Sequence, residues 1–389
     1  MVTPAPASFE LATPARVVFG AGRSAALPAE VAALGLSRIL LVTGCAPERA
    51  ESAGEALRAR GVAVSPLKVA GEPTVEDVRA AVALARGEGC EGVVAMGGGS
   101  AMDCGKAVAG LLGNGADDPL DFLEVVGRGR SLARPGLPFV AVPTTAGTGA
   151  EVTRNAVLGT SGTKASLRSP FLLARLALVD PDLLEGVPRQ VLAASGLDAL
   201  SQVVEPYLSA RANPLTDALA GEGMRRSARS LRAACLDGLT AGRREDLALT
   251  SLFGGICLAN AGLGAVHGFA APAGAALGAP HGALCAALLA PCLTVNLRAL
   301  RARGDGALEG RYLDVARWLT GRADAAAEDG IAWVEELCRD LGVRGLGAHG
   351  LKPEGIEPLV AQARVASSMK ANALVLTDDE LREILARAM

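Results

Sequence analysis

The segment VVAMGGGSAMDCGKAVAGLL, residues 93–112, joins a short apolar run to a glycine turn and then to a stretch of helical character. A strand, a glycine turn and a helix in that order are typical of an anion-binding loop in an α/β domain. Glycines let the backbone approach a phosphate, and the helix N-terminus attracts the anion. Gly98, Gly99 and Ser100 are therefore candidates for binding a pyrophosphate. A plain tight turn capped by Ser100 is the alternative, because Met102 breaks the pattern G-x-G-x-x-G.

Two neighbouring features favour the binding loop. Asp103 and Lys106 lie three residues apart and therefore on one face of the predicted helix. A second loop of hydroxyl and small residues follows the next apolar run, and its candidate cofactor-binding residues are Thr144, Thr145 and Thr148. In open parallel sheets, ligands bind at the carboxyl ends of the strands, where both loops are expected.

The rest of the first half repeats the alternation of apolar runs and amphipathic segments. We predict strands over 38–43, 62–67, 92–96 and 139–142, with helices over 46–60 and 75–87. Residues 114–138 are predicted to be a long surface connection. After about residue 187 only helical segments follow. The sequence therefore predicts an α/β domain over residues 1–187 and an all-helical domain over residues 188–389.

Composition excludes several classes of partner. The 389 residues are 50% hydrophobic, 3% aromatic and carry a formal net charge of −3. Such a chain offers nucleic acid neither a basic surface nor stacking rings, and it offers anionic membranes little attraction. The eight cysteines form no C-x-x-C pair and are expected to be reduced. The N-terminus has no export-signal pattern, so a cytoplasmic location is expected. The uncharged character of part of the second half favours a small-molecule substrate that is mostly apolar or uncharged.

A stretch without Asp, Glu, Lys or Arg runs from Leu247 to Leu297 and contains His267 and His281, two of the three histidines. Its prolines and glycines interrupt it too often for a membrane span. A buried imidazole needs a partner, and two in one apolar wall suggest a shared site. The alternative is that both rings bond backbone carbonyls within a helical core.

Four motifs follow one another along about 190 residues in the order and at the separations of a known family. They are GGGSAMDCGKA, PTTAGTGAEVT, GLDALSQVVEPYLS and VHGFAAPAGAALGAPHG. Together they resemble the iron-dependent, or group III, alcohol dehydrogenases. The resemblance implies a dehydroquinate synthase-like architecture, with an α/β nucleotide-binding domain, an all-helical domain and the active site in the cleft between them. It also implies metal-assisted, NAD(P)H-dependent interconversion of an alcohol and an aldehyde or ketone by a homodimer.

The resemblance also implies roles for cofactor-binding residues. Gly98, Gly99 and Ser100 would hold the pyrophosphate. Thr144 and Thr145 would line the adenosine and ribose, and Asp103 would approach the nicotinamide. The remaining predicted cofactor residues are Gly44, Thr148, Asn155 and Lys164.

Lys164 matches a family lysine that bonds the ribose hydroxyls, with a solvated surface lysine as the alternative. Many NAD-using members have an Asp after the first strand, where this chain has Thr43-Gly44. Without that carboxylate nothing repels a 2′-phosphate, which favours NADP(H) over NAD(H).

The family binds one divalent metal through an Asp, a His four residues later and two histidines fourteen apart. Asp198, His267 and His281 match three of these ligands, and Gln202 occupies the fourth position. A neutral amide is a poorer ligand for iron or zinc than imidazole, so the predicted site is weakened. Ala271, four residues after His267, occupies a position where many members have a further histidine near the nicotinamide.

Three functions remain open at this point. The first is metal-assisted alcohol dehydrogenase or aldehyde reductase activity. The second is metal-free reduction of an activated double bond, similar to maleylacetate reductase, with His267 or His281 as the catalytic proton donor. The third is a degenerate nucleotide-binding protein without catalysis.

Overall fold

A computed structural model describes residues 8–44, 48–160, 163–304 and 306–389. The described residues form two compact units. One contains Ala12–Thr145 and Gly149–Glu185. The other contains Ala146–Thr148 and Gly186–Met389, together with the described part of Met1–Leu11.

The first unit is built around parallel strands. In chain order its strands are β1 Val17–Phe19, β2 Arg38–Thr43, β3 Ala63–Lys68, β4 Gly92–Gly97, β5 Phe139–Pro143, β6 Asn155–Thr160, β7 Thr163–Arg168 and β8 Leu176–Val179. Six of them form a parallel sheet in the order β1-β8-β5-β4-β2-β3, and β6 pairs with β7 in an antiparallel hairpin. Its helices are α1 Leu27–Ala33, α2 Glu48–Ala59, α3 Val75–Gly87 and α4 Gly99–Gly113.

The central strands are apolar throughout because both faces of the sheet are covered. Along β4, Val93 and Ala95 enter one buried cluster, and Val94 and Met96 enter the cluster on the opposite face. A strand buried on both sides needs no alternation of apolar and polar residues. The predicted α/β class is confirmed, and each of the four predicted strands exists within one residue of its expected bounds. The sequence prediction missed β1, β6, β7 and β8.

The connection over 114–138 is less open than the sequence prediction suggested. It contains a single 3-10 turn, Pro119–Asp121, and most of its residues are half-buried or exposed. Leu123 and Leu132 nevertheless belong to the core cluster that also contains α4. Two apolar anchors therefore hold the connection against the domain.

The second unit is helical, as predicted. Its helices are α5 Arg189–Leu208, α6 Pro214–Leu236, α7 Ala241–Ala261, α8 Ala265–Leu277, α9 His281–Arg303, α10 Gly306–Thr320, α11 Ala327–Asp340, α12 Ile356–Val365 and α13 Asp378–Ala388. The uncharged stretch forms most of α7, all of α8 and the greater part of α9. Pro206, Pro272 and Pro291 lie inside α5, α8 and α9.

Helix α9 is long and apolar enough to cross a membrane by length and composition, and 72% of its apolar window is buried inside the protein. The bent pair α7 and α8 passes the same test only if it is counted as one span. Burial of that extent is typical of a core helix.

Candidate functional site

The glycine turn after β4 forms the N-terminus of α4. Gly98 caps the helix and Gly99 is its first residue. A Cβ atom at Gly98 would lie 3.2 Å from Thr145 Oγ1, and one at Gly97 would lie 2.7 Å from the Ala101 side chain. Side chains at these positions would therefore fill the turn. The first N–H groups of a helix have no intrahelical acceptor, so this end of α4 is suited to bind an anion.

Three predicted cofactor segments meet at one edge of the sheet. The Thr144 N–H donates to the Gly97 carbonyl over 2.9 Å. A Cβ atom at Gly97 would lie only 3.1 Å from the Gly44 nitrogen. Because β2, β4 and β5 are parallel neighbours, their carboxyl ends bring Gly44, the glycine turn and the threonine loop together.

Asp103 and Lys106 form a buried ion pair on α4. Lys106 is 1% exposed, and its Nζ lies 3.0 Å from Asp103 Oδ1. The same ammonium donates to the carbonyls of Ala150 and Asn155 and to the Thr153 hydroxyl. Asp103 Oδ2 also accepts from the Val157 N–H over 3.2 Å. Lys106 therefore ties α4 to the start of the β6–β7 hairpin, and Asn155 contributes its backbone carbonyl to this tie.

The remaining two predicted cofactor residues, Lys164 and Thr148, lie in different units. Lys164 on β7 has a side chain only 15% exposed and holds the Glu72 carboxylate at 2.6 Å. Lys164 is therefore not a freely solvated surface lysine. Thr148 lies in the short segment that is grouped with the helical unit.

Four potential metal-binding side chains converge in the helical unit. They are Asp198 on α5, His267 on α8, and His281 and Cys285 on α9, and their ligand atoms all lie within 4.8 Å of one another. His267 Nε2 is 3.3 Å from Asp198 Oδ1, and His281 Nε2 is 3.8 Å from the same oxygen. The Cys285 Sγ is 3.7 Å from His267 Nε2 and 3.6 Å from His281 Nε2. We call these four residues the ligand cluster.

Glu205 orients the His267 ring through Nδ1, the nitrogen that does not face the ligand cluster. The His267 Nδ1 lies 2.6 Å from Glu205 Oε2, and the Val266 N–H donates to Glu205 Oε1 over 2.7 Å. A carboxylate accepts hydrogen bonds, so Nδ1 carries a proton toward Glu205, and Nε2 is the ring nitrogen that faces the ligand cluster. This carboxylate–histidine arrangement is the usual outer support of a metal-binding histidine.

Gln202 lies one turn after Asp198 on α5. Its Nε2 donates to the Gly147 carbonyl over 3.1 Å, and its buried Oε1 has no hydrogen-bond partner among the described residues. The amide therefore supports the loop that contains Gly147 with one end and leaves an acceptor free at the other. Its assignment as a ligand stays a prediction.

The charges in and beside the ligand cluster favour the binding of positive charge. Asp198 and Glu205 are buried, and in the described part of the chain their ion-pair partners are histidines, with no lysine or arginine among them. Burial alone would raise the pKa of Asp198, but His267 and His281 hold it below its ordinary value. Burial alone would lower the pKa of His267, but Cys285, Asp198 and Glu205 raise it. Asp198 in the cluster and Glu205 beside it thus stabilise positive charge on the site.

The sequence analysis missed Cys285 and Glu205. Each had a spacing that could have indicated it: Cys285 follows His281 by four residues, and Glu205 follows Asp198 by seven. Both intervals place side chains on one helix face.

Both halves of the chain match known families. Residues 14–181 match the family described as iron-containing alcohol dehydrogenase. Residues 192–389 match the C-terminal domain of the Fe-containing alcohol dehydrogenase family.

Individual relatives agree with these matches. A probable alcohol dehydrogenase, EutG, from Salmonella typhimurium is 38% identical over 274 residues, which are 70% of this chain and 66% of that protein. The match thus spans slightly less than two thirds of that relative.

Two solved structures resemble the chain over nearly its whole length. A 1,3-propanediol oxidoreductase structure is 31% identical, with a TM-score of 0.91 over 98% of this chain and 100% of the other. A sulfoacetaldehyde reductase from Bifidobacterium kashiwanohense, solved with NAD+, is 28% identical, with a TM-score of 0.85 over 98% of this chain and 99% of the other.

Proposed function

Because the chain belongs to the iron-containing alcohol dehydrogenase family, a family of oxidoreductases, we propose that it interconverts an alcohol and an aldehyde or ketone with NAD(P)(H) and a divalent metal. The observation that supports this most directly is the ligand cluster. Two imidazoles and a carboxylate converge there in a buried setting without a lysine or arginine partner among the described residues.

The metal ligands that we propose from the family pattern are Asp198, His267 and His281. This donor set of oxygen and imidazole nitrogen fits iron or zinc. When bound, the metal supplies Lewis-acid polarisation of a carbonyl oxygen, and the reduced nicotinamide supplies the hydride. Glu205 holds the His267 ring in its ligating tautomer. With a side chain 33% exposed, His281 is the cluster residue most accessible from outside.

The proposed cofactor site is the glycine turn with its two neighbouring loops. The N-terminus of α4 would bind the pyrophosphate through Gly98, Gly99 and Ser100. We propose NADP(H) in preference to NAD(H), because Gly44 at the end of β2 provides no carboxylate to repel a 2′-phosphate.

We propose a small, largely uncharged substrate. The stretch between Leu247 and Leu297, which contains both histidines, provides no charged group to pair with an anionic substrate. A cytoplasmic location and a homodimer complete the proposal, and both rest on the likeness to the family.

The first test is metal quantification coupled to titration with NADPH and NADH. We expect about one iron or zinc per chain, turnover with an aldehyde panel that a chelator abolishes, and tighter binding of NADPH. Chelator-insensitive turnover with an activated enone would contradict metal assistance and favour His267 or His281 as a proton donor. Cofactor binding without turnover on any carbonyl, alcohol or enone would indicate a binding protein.

The second test is Asp198→Asn, which removes the carboxylate that faces both rings. Metal affinity should fall by at least about 100-fold, and turnover should fall with it. Asp246→Asn is the matched control, because Asp246 is also mostly buried but is paired with Arg226 and Arg229. Its metal content should be unchanged. Full metal occupancy in Asp198→Asn would refute the assignment.

A further inference from the structure

We propose that the thiolate of Cys285 is the fourth protein ligand of the metal and takes the place of a side chain at position 202. The inference rests on the proposed metal site and adds a ligand type that the family pattern of one Asp and three His does not contain. It keeps four protein donors but moves the fourth from α5 to α9.

Three distances between ligand atoms in the cluster match those of a tetrahedral site. With typical zinc bonds of about 2.3 Å to sulfur and about 2.1 Å to nitrogen or oxygen, ligands at tetrahedral angles lie about 3.6 Å apart for N···S and about 3.4 Å apart for N···O. The Cys285 Sγ lies 3.7 and 3.6 Å from the two Nε2 atoms, and His267 Nε2 lies 3.3 Å from Asp198 Oδ1. The His281–Asp198 edge is longer, at 3.8 Å.

The local structure directs Cys285 toward the cluster. His281 and Cys285 are four residues apart on α9, so both side chains leave the same face of the helix. The thiol is fully buried, and its Sγ lies within hydrogen-bonding distance of both cluster histidines. Cys257, which is equally buried, instead donates to the Thr216 carbonyl over 3.4 Å.

The side chain at position 202 is tied to another segment through its nitrogen, and its unpaired oxygen is a neutral, weaker donor for zinc than a thiolate. The Gln202 amide nitrogen donates to the Gly147 carbonyl. Turning the amide so that its nitrogen no longer meets that carbonyl would leave a buried acceptor without its donor. Cys285 needs no such rearrangement to reach the cluster.

A thiolate ligand changes the metal preference of the site. Sulfur is a soft donor that selects zinc over manganese and magnesium. We therefore expect the site to prefer zinc to these harder cations.

Cobalt(II) tests the ligand directly. The chelator-stripped protein loaded with one equivalent of Co²⁺ should show the near-ultraviolet charge-transfer absorption of a thiolate–cobalt bond. Cys285→Ser should lose this band and bind Co²⁺ about 100-fold more weakly. Cys257→Ser is the matched control, because a hydroxyl can still donate to Thr216, and it should keep the band, as should Gln202→Ala.

A measurement on the unmodified protein removes the risk that a variant misfolds. X-ray absorption of the zinc-loaded chain should find one sulfur neighbour at about 2.3 Å. Stoichiometric metal with no sulfur neighbour and no thiolate band would overturn the role of Cys285 and leave the proposed function intact. Failure of the unmodified protein to bind any metal would overturn both proposals.

Discussion

Two buried ionic groups in this chain are stabilised in opposite ways. In the α/β unit, the Asp103 carboxylate is paired with Lys106, so the charges are balanced by the chain itself. In the helical unit, Asp198 and Glu205 face two imidazoles and, among the described residues, no lysine or arginine. The difference shows that burial of charge has two uses. The first group fixes a loop, whereas the second is completed only by protons or by a cation from outside.

Lys106→Met should have the largest effect on stability. It would leave the Asp103 carboxylate and three acceptors without their donor, which should lower the free energy of unfolding by about 3–5 kcal/mol. Denaturant unfolding of the metal-free chain measures this. Lys164→Met, which breaks a partly exposed ion pair, should cost about 1 kcal/mol or less. Equal losses in the two variants would show that burial does not set the difference.

Glu151 gives the α/β unit a pH dependence that the metal cannot explain. Burial raises its pKa to about 7 from an ordinary value of 4.5. The folded state therefore favours the protonated form, and its contribution is complete below pH 4.5 and lost as the pH rises through about 7. Glu151→Gln should remove this loss and gain up to about 3 kcal/mol relative to the parent at pH 8. Parallel stability curves for parent and variant from pH 5 to 8 would contradict the assignment.

Glu205→Gln tests the outer support of the ligand cluster. The neutral amide of glutamine cannot balance positive charge at the His267 ring as a carboxylate does. Metal affinity should therefore fall by about 10- to 100-fold. Competition with a chromogenic chelator measures the change. Glu222→Gln, on the exposed side of α6, should bind metal as the parent does. An unchanged affinity in Glu205→Gln would mean that the hydrogen bond to His267 does not tune the site.

Gln202→His should have the smallest effect. It restores the family ligand and should tighten metal binding by about tenfold, although it loses the hydrogen bond to Gly147. The gain should be larger in a Cys285→Ala background, because there the new imidazole replaces a missing donor. Equal gains in the two backgrounds would show that positions 202 and 285 do not share a coordination role.

Much of the fold was predictable because it depends on local patterns. The buried strands β2, β4 and β5 are short apolar runs that end in glycine or hydroxyl residues, and such runs indicate strands wherever they pack. The hairpin of β6 and β7 was missed, although residues 164–168 alternate between polar and apolar side chains and the apolar Ala165 and Leu167 are buried. In β6 the three consecutive apolar residues 156–158 hide the same alternation. Three-residue β1 is too short to produce a pattern.

The candidate site was predictable only in part, for a different physical reason. Asp198, His267 and His281 were identified by resemblance, and the structure brings these three together. Helical spacing could place Cys285 beside His281 and Glu205 beside Asp198. It could not show that the relevant faces of α5, α8 and α9 point at one another, because that depends on packing between residues far apart in sequence.

The geometry of helix α5 limits how the sequence of this site can change during evolution. Asp198 and Glu205 occupy one stripe of α5, two turns apart, and between them they fix one ring from both of its nitrogens. Replacing a side chain on that stripe alters one contact at a time. Adding or deleting a single residue between them would turn everything beyond it by about 100° around the axis. The number of residues between Asp198 and Glu205 on α5 is therefore constrained more strictly than the identity of those residues.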